Sequence, residues 1–267
     1  RENLMRPGEE FEIKCYEYLK HNYSVGRVSF CHEGGMDSTK SDIAVIKDGR
    51  IKFYIEVKDT VSQSGQFVLL PNEESSTFVF SRRNHSEPNE MTEIIIEYMN
   101  SNFDRFNNAG TAGEVLNIDS SIFSKWIIKH YKDKNVRYVI SYKNGYVILP
   151  INKFARYFDI NANYRIKKSG SSEPAMKDID VVKQKVKLFY PTVNFKTQGK
   201  KLFAYVHDPI VQDRFILGKY TYYFSERGPN TFEIRRLSNT YNMNVIFSIQ
   251  LKKSQDPTDL AVFEADL

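Results

Sequence analysis

Ser41-Asp42-Ile43-Ala44-Val45-Ile46-Lys47-Asp48-Gly49-Arg50-Ile51-Lys52-Phe53-Tyr54-Ile55-Glu56-Val57-Lys58 sets two β-rich runs on either side of an Asp-Gly pair. β-branched and aromatic residues suit a pleated, half-buried strand, and Asp-Gly supplies the positive φ angles of a two-residue hairpin turn. The stretch therefore predicts a hairpin of Ser41–Ile46 and Ile51–Lys58. Asp42 opens its first strand and Glu56 closes its second, fourteen residues later, so the two carboxylates converge at one end of the pair. Side chains two apart on a strand share a face, which sets Glu56 beside Lys58 while Val57 points into the core and leaves its carbonyl available.

Outward from the hairpin, Phe11, Cys15, Tyr18 and Leu19 recur at helical spacing behind Pro7-Gly8, with acidic residues in the first turns. Gln66 to Pro71 predicts a third strand stopped by proline, and residues 72–90 read largely as loop around a short apolar piece at Phe78 to Phe80. A helical pattern covers Met91 to Met99. Asp119-Ser120-Ser121 can cap a helix through Phe123, Trp126, Ile127 and Tyr131, before a second hairpin of Val136–Tyr142 and Tyr146–Leu149. This order of elements is α/β or α+β. From residue 151 the texture becomes short strands between polar loops, at Lys201–Val206, Phe215–Leu217, Tyr220–Phe224, Thr231–Arg235 and Asn244–Leu251; Lys167 to Ser172 reads as an exposed loop.

The chain has 267 residues, 41% hydrophobic and 27% charged, enough to bury one large core or two small ones, and it contains no internal repeat. No apolar run approaches the roughly 18 residues that cross a bilayer, and the opening residues lack the apolar stretch of a secretion signal, so a soluble intracellular protein is expected. Cys15 and Cys31 are too few for a disulfide framework and read as core residues. The net charge of +5 hides an uneven distribution: residues 1–150 carry −2, residues 151–252 carry +10, and the tail carries −3. Carboxylates in one part and excess cations in another suit a metal site and a surface for a polyanion, although a solvated lysine face has the same composition.

Two carboxylates and a carbonyl suit a hard cation such as Mg²⁺, and the Lys58 ammonium can orient a water or stabilise charge on a phosphate. Asp42 followed by Glu56-Val57-Lys58 is the spacing of a metal-dependent phosphodiesterase site. An E-x-K triplet alone is weak, since Glu12-Ile13-Lys14 is a second copy. Only Glu56-Lys58 sits on a strand, where i and i+2 share a face; an edge-strand ion pair would look the same. The five histidines form no H-E-x-x-H, and neither a G-x-G-x-x-G nor a phosphate-binding G-x-x-x-x-G-K-[ST] is present.

Tyr54-Ile55-Glu56-Val57-Lys58, with Ser62-Gln63-Ser64-Gly65-Gln66-Phe67-Val68-Leu69-Leu70-Pro71-Asn72, resembles the PD-(D/E)xK type II restriction endonucleases. Tyr164 to Ser171 and Leu237 to Ile249 carry the same resemblance, which thus runs from the first helix to residue 252. It implies an α/β (α+β) restriction-endonuclease-like core, with a mixed central sheet flanked by helices and a β-rich basic DNA-recognition elaboration in the C-terminal half. The implied division is a catalytic core over 1–150 and a basic recognition region over 151–267, continuous with it as one compact unit. The implied activity is Mg²⁺-dependent hydrolysis of duplex DNA within GCGC, leaving 5′-phosphate and 3′-hydroxyl ends.

Asp42, Glu56 and Lys58 take the family's catalytic positions, with Asp42, Glu56 and the Val57 carbonyl on the metal. Gly8-x-x-x-Glu12 resembles the first-helix motif whose glutamate lies near the metal, and Glu10 competes for that role. Gln63 and Gln66 would hold the active-site water or the scissile phosphate, or else cap a loop. Ser41 departs from the proline that many relatives have before the aspartate. The implied partners are double-stranded DNA and a cognate DNA methyltransferase that protects the host genome, with no membrane and no small-molecule cofactor, in the bacterial cytoplasm.

A site made only of G and C presents N7 and O6 acceptors on each G and an N4 donor on each C, so Arg or Lys should read G. Arg165, Lys167, Lys168 and Ser169 are the candidates, on the basic stretch. Asn239, Asn242 and Asn244 could touch bases or phosphates or simply shape a turn, and Lys183, Lys185, Lys187, Lys200 and Lys201 suit phosphates. A structure-selective nuclease and a DNA-binding protein with a vestigial core are the competing readings.

Overall fold

The computed structural model describes residues 8–33, 41–168, 170–238 and 241–267. They cluster into two compact units, one of residues 8–167 with 243–267 and the other of residues 168–242. Residues 151–167 and 243–267, grouped with the basic region in the sequence reading, cluster with the hairpin.

In the larger unit, α1 (Glu9–Tyr23) leads into β1 (Val28–His32), β2 (Ile43–Lys47) and β3 (Arg50–Val57). The β2–β3 turn is the expected one, with Asp48 and Gly49 at φ 53° and 75°. Next come β4 (Val61–Asn72), β5 (Thr77–Phe80), α2 (Glu90–Asn100), α3 (Phe103–Asn107) and β6 (Glu114–Val115). They are followed by α4 (Ser120–Asp133), β7 (Val136–Tyr142), β8 (Tyr146–Pro150), α5 (Phe154–Tyr157) and β9 (Phe158–Lys168). The central sheet runs β1-β2-β3-β7-β8, antiparallel except for the parallel pair β3 and β7. It is a mixed sheet flanked by helices, the α+β architecture expected.

Strand alternation decides what each face of the sheet covers. Phe53, Ile55 and Val57 of β3 join Cys15 and Leu19 of α1 in one core cluster, while Tyr54 packs on the opposite cluster with Trp126, Ile127 and Tyr131 of α4. Glu56 and Lys58, in phase with Tyr54, are thereby on the α4 side. Asp119 caps α4 by accepting from the Ser121 N–H at 2.8 Å.

β1, α3, β6 and α5 do not appear in the sequence reading, and three further features of this unit differ from it. Pro71 does not stop its strand: β4 continues to Asn72, and Pro71 pairs with Phe78 of β5, the short apolar piece of the sequence reading. Its missing N–H is tolerated near the strand's end. Arg165 to Lys168 complete β9 and are not loop, because β9 lies inside the sheet β5-β4-β16-β9-β6, where β16 is Tyr241–Leu251. A further helix, α7 (Pro257–Asp266), follows β16; Asp256 accepts from the Thr258 N–H and proline stands in the first turn.

The smaller unit contains β10 (Ser171–Ser172), α6 (Ile179–Phe189), β11 (Asn194–Gln198), β12 (Lys201–Tyr205), β13 (Arg214–Leu217), β14 (Tyr220–Gly228) and β15 (Thr231–Leu237). The sheet runs β11-β12-β15-β14-β13, with β10 on β15. β12, β13, β14 and β15 match the sequence reading, whereas β10, β11 and α6 do not appear in it. Val182 and Val186 of α6 are buried against Leu202, Ala204, Tyr222 and Ile234.

Candidate active site

The register Ile43↔Ile55 sets Asp42, just before β2, opposite Glu56 near the end of β3. The Val57 N–H donates to Asp42 Oδ2 at 2.8 Å, and the buried Ser41 hydroxyl donates to Glu56 Oε2 at 2.5 Å. Ser41 and Asp42 are thus each tied to a residue at the end of β3. Ser41 uses its side chain to orient a carboxylate, a role invisible in the sequence because it depends on the hairpin register.

Burial and the charge of Glu56 push the Asp42 carboxyl well above the usual carboxylate range; Glu12 adds to the effect, while the Val57 N–H and Lys58 oppose it. This negative charge is under-compensated. Lys58 Nζ lies 3.3 Å from Glu56 Oε1 and 3.2 Å from the Gln63 carbonyl oxygen. Burial disfavours the ammonium, but Tyr131, Glu56 and Asp42 outweigh it and hold Lys58 protonated.

Glu12 approaches from α1. Its Oε2 lies 3.2 Å from Nε2 of the part-buried His32, and its charge reaches Asp42. Glu10, its rival in the sequence, pairs with Lys14 at the exposed surface. The geometry therefore brings Asp42, Glu56 and Lys58 together, sets Glu12 on His32 with its charge reaching Asp42, and leaves Glu10 outside. Gln63 meets Lys58 through its main-chain carbonyl while its side chain is exposed; Gln66 is exposed too, and its Oε1 receives Lys167 Nζ at 3.4 Å.

No family model and no curated protein matches the chain. Among solved structures, HhaI endonuclease in complex with DNA is similar along almost the full length, with 34% sequence identity and a TM-score of 0.81, covering 98% of this chain and 99% of that one. The chain belongs to the HhaI endonuclease family.

The restriction-endonuclease fold implies a divalent metal. Among the described residues of this HhaI-family chain, no three His, Cys, Asp or Glu side chains form a metal cage. The fit lies in the charge: two facing carboxylates, one of them forced towards its protonated form by burial and by the other, are the environment that a hard cation relieves, and a backbone carbonyl with waters completes such a shell. Asp42, Glu56 and Val57 are chemically suited to it.

The HhaI-family chain carries the DNA-contact candidates in different settings. Arg165 and Lys167 are half-buried on β9, and burial together with the charge of Arg165 pushes the Lys167 ammonium down. Lys168 ends β9, Asn242 is half-buried near the start of β16, and Ser169 and Asn239 lie outside the described residues. The smaller unit holds 13 Lys and Arg against 7 Asp and Glu, so the cationic excess belongs to it. Cys15 is buried as expected, whereas Cys31 is only half-buried.

Two groups near the site carry no sequence signal. His130 stacks on Trp126, 4.8 Å between ring centres, and burial with nearby Lys134 pushes its imidazole down to about 4. Tyr131 lies under Lys58, whose Nζ is 5.8 Å from the ring centre. Both read in the sequence as ordinary residues of a helix; only the packing of α4 on the β3 face brings them to the carboxylates.

Proposed function

We propose that this chain is a Mg²⁺-dependent type II restriction endonuclease that hydrolyses duplex DNA at a short palindrome, GCGC, leaving 5′-phosphate and 3′-hydroxyl ends. The observation that carries the reading is the juxtaposition of Asp42, Glu56 and Lys58 in a chain 34% identical to HhaI endonuclease over nearly its whole length.

Asp42, Glu56 and the Val57 carbonyl would hold the metal, which when bound neutralises charge on the scissile phosphate and lowers the pKa of a water. Lys58, protonated and between Glu56 and Gln63, cannot act as a base; its charge offsets negative charge that grows on the phosphate in the transition state. Glu12, Gln63 and Gln66 orient the water or phosphate. Arg165, Lys167, Lys168, Ser169, Asn239 and Asn242 are the proposed DNA contacts. Arg165 and Lys167 crowd each other's charge, which an anion relieves. Double-stranded DNA is the substrate, and a methyltransferase of the same specificity is the genetic partner, in a bacterial cytoplasm.

The test is sequencing of ends from unmethylated plasmid cut with Mg²⁺, beside EDTA and Lys58→Ala controls. Discrete cuts within GCGC, lost in both controls, are expected. Discrete cuts at another sequence overturn the specificity and keep the chemistry; cuts that follow branch geometry, or tight binding without cleavage, overturn the restriction reading.

A further inference from the structure

The tyrosine beneath Lys58 is built for more than packing. Tyr131 is buried on α4 in an apolar cluster, and its hydroxyl lies 3.1 Å from the hydroxyl of Ser64 on β4, itself fully buried. Phenylalanine and alanine would fill these places without burying two hydroxyls, and buried hydroxyls cost stability unless they are partnered. The two form a pair, and the pair has a neighbour: the Lys58 ammonium, over the Tyr131 ring.

We infer that Tyr131, backed by Ser64, is a positioning residue that holds the Lys58 ammonium in its working place between Glu56 and the Gln63 carbonyl.

The chemistry fixes the direction of the chain. An ammonium has three protons and no lone pair, so towards the phenol it can only donate. The Tyr131 oxygen therefore accepts from Lys58 and turns its own proton to Ser64 Oγ. Glu56 Oε1 and the Gln63 carbonyl face two of the three protons of Nζ, and the Tyr131 hydroxyl is the acceptor inferred for the third. Burial pushes the phenol up to about 12, so it stays protonated and acts through Lys58 without taking a proton itself.

Position follows from the backbone. Lys58 directly follows β3 with its own N–H donated to the Ile140 carbonyl, which fixes its main chain but not its flexible four-carbon stem. With only Glu56 and Gln63 as anchors, the ammonium could swing further onto the carboxylate and away from a phosphate. The third anchor removes that freedom, which is the kind of pre-organisation that a charge-stabilising group needs. The catalytic value of this anchor rests on the proposed function, in which Lys58 acts in phosphodiester hydrolysis.

The experiment compares the full chain with Tyr131→Phe, Ser64→Ala and Lys58→Met. One readout needs no activity: the side-chain ¹⁵Nζ resonance of Lys58, identified by its disappearance in Lys58→Met, should be resolved and slowly exchanging in the parent and broadened or lost in Tyr131→Phe. The other is single-turnover cleavage, expected to fall about tenfold to a hundredfold in Tyr131→Phe, the range for one charged hydrogen bond, with DNA affinity unchanged and the thermal midpoint lowered only by the unpartnered Ser64 hydroxyl. Ser64→Ala should shift both readouts in the same direction by less. An unchanged Lys58 resonance in Tyr131→Phe overturns the inference, as does cleavage within twofold of the parent. A parent that holds the resonance but cleaves no DNA overturns the function of Lys58 and leaves its anchoring by Tyr131 standing.

Discussion

Replacing Gly65 by alanine should damage this protein far more than replacing Gly49, although both glycines have positive φ. Gly49 sits in the hairpin turn at φ +75°, and a Cβ there would meet nothing within 4 Å. Its cost is the left-handed backbone alone, about 1–2 kcal/mol. Gly65 sits in β4 at φ +103°, and a Cβ there would lie 2.5 Å from Trp126 Cζ3 and 3.2 Å from Cη2. Its backbone conformation costs about 1–3 kcal/mol, and forcing a methyl against a packed ring adds about 1–3 kcal/mol more. Trp126 has little room to yield, since it is buried, stacked on His130 and packed against the tilted rings of Phe67 and Phe247. The expected loss for Gly65→Ala is thus about 2–6 kcal/mol, against about 1–2 for Gly49→Ala. Denaturant unfolding of both variants at one pH measures the difference. The close approach of β4 to α4 is also what brings Ser64 to Tyr131, so Gly65→Ala should lower cleavage where Gly49→Ala does not. Equal destabilisation by the two variants would refute the steric argument, and full cleavage by a destabilised Gly65→Ala would refute its link to the site.

The Asp42 carboxyl has a folded value above its unfolded one, so its ionised form subtracts stability at neutral and alkaline pH, and the penalty fades as pH falls towards the ordinary carboxylate range. Asp42→Asn should therefore raise the thermal midpoint of the metal-free protein at pH 8, lose that advantage near pH 4, and abolish cleavage; a lower midpoint at pH 8 would count against the crowded-carboxylate account. Asn89 and Thr92 form a reciprocal cap on α2, and the Thr92 hydroxyl also accepts from Trp126 Nε1 at 3.3 Å. Asn89→Ala should cost about 0.5–2 kcal/mol in urea unfolding while leaving DNA affinity alone. If α6 lysines meet phosphates, replacing Lys183, Lys185 and Lys187 by Gln should weaken DNA binding without regard to sequence and flatten its salt dependence by about one unit of slope per lost contact. An unchanged slope would return those lysines to plain solvent exposure.

Local chemistry alone makes the first hairpin legible. The alternation of Ile43 to Val57 and the Asp48-Gly49 turn act between residues close in the chain, and the same period of two that builds the strands places Asp42, Glu56 and Lys58 together. The second hairpin and the cap of α4 are readable for the same reason. Helix α6 is not: Val182-Lys183-Gln184-Lys185-Val186-Lys187-Leu188 alternates in polarity nearly as a strand would, and only the sheet on which Val182 and Val186 pack makes the helical period the one that buries apolar surface.

What the sequence by itself determined is the α+β order of elements and the end of the β2–β3 hairpin where Asp42, Glu56 and Lys58 meet. Everything that surrounds that trio was decided by tertiary structure. Ser41 on Glu56, His32 on Glu12, the Gln63 carbonyl on Lys58 and the Ser64–Tyr131 pair join groups 15, 20, 5 and 67 residues apart. Such contacts have no period or spacing of their own. They exist because α1 and α4 cover opposite faces of one sheet, and because a glycine lets β4 lie close against Trp126.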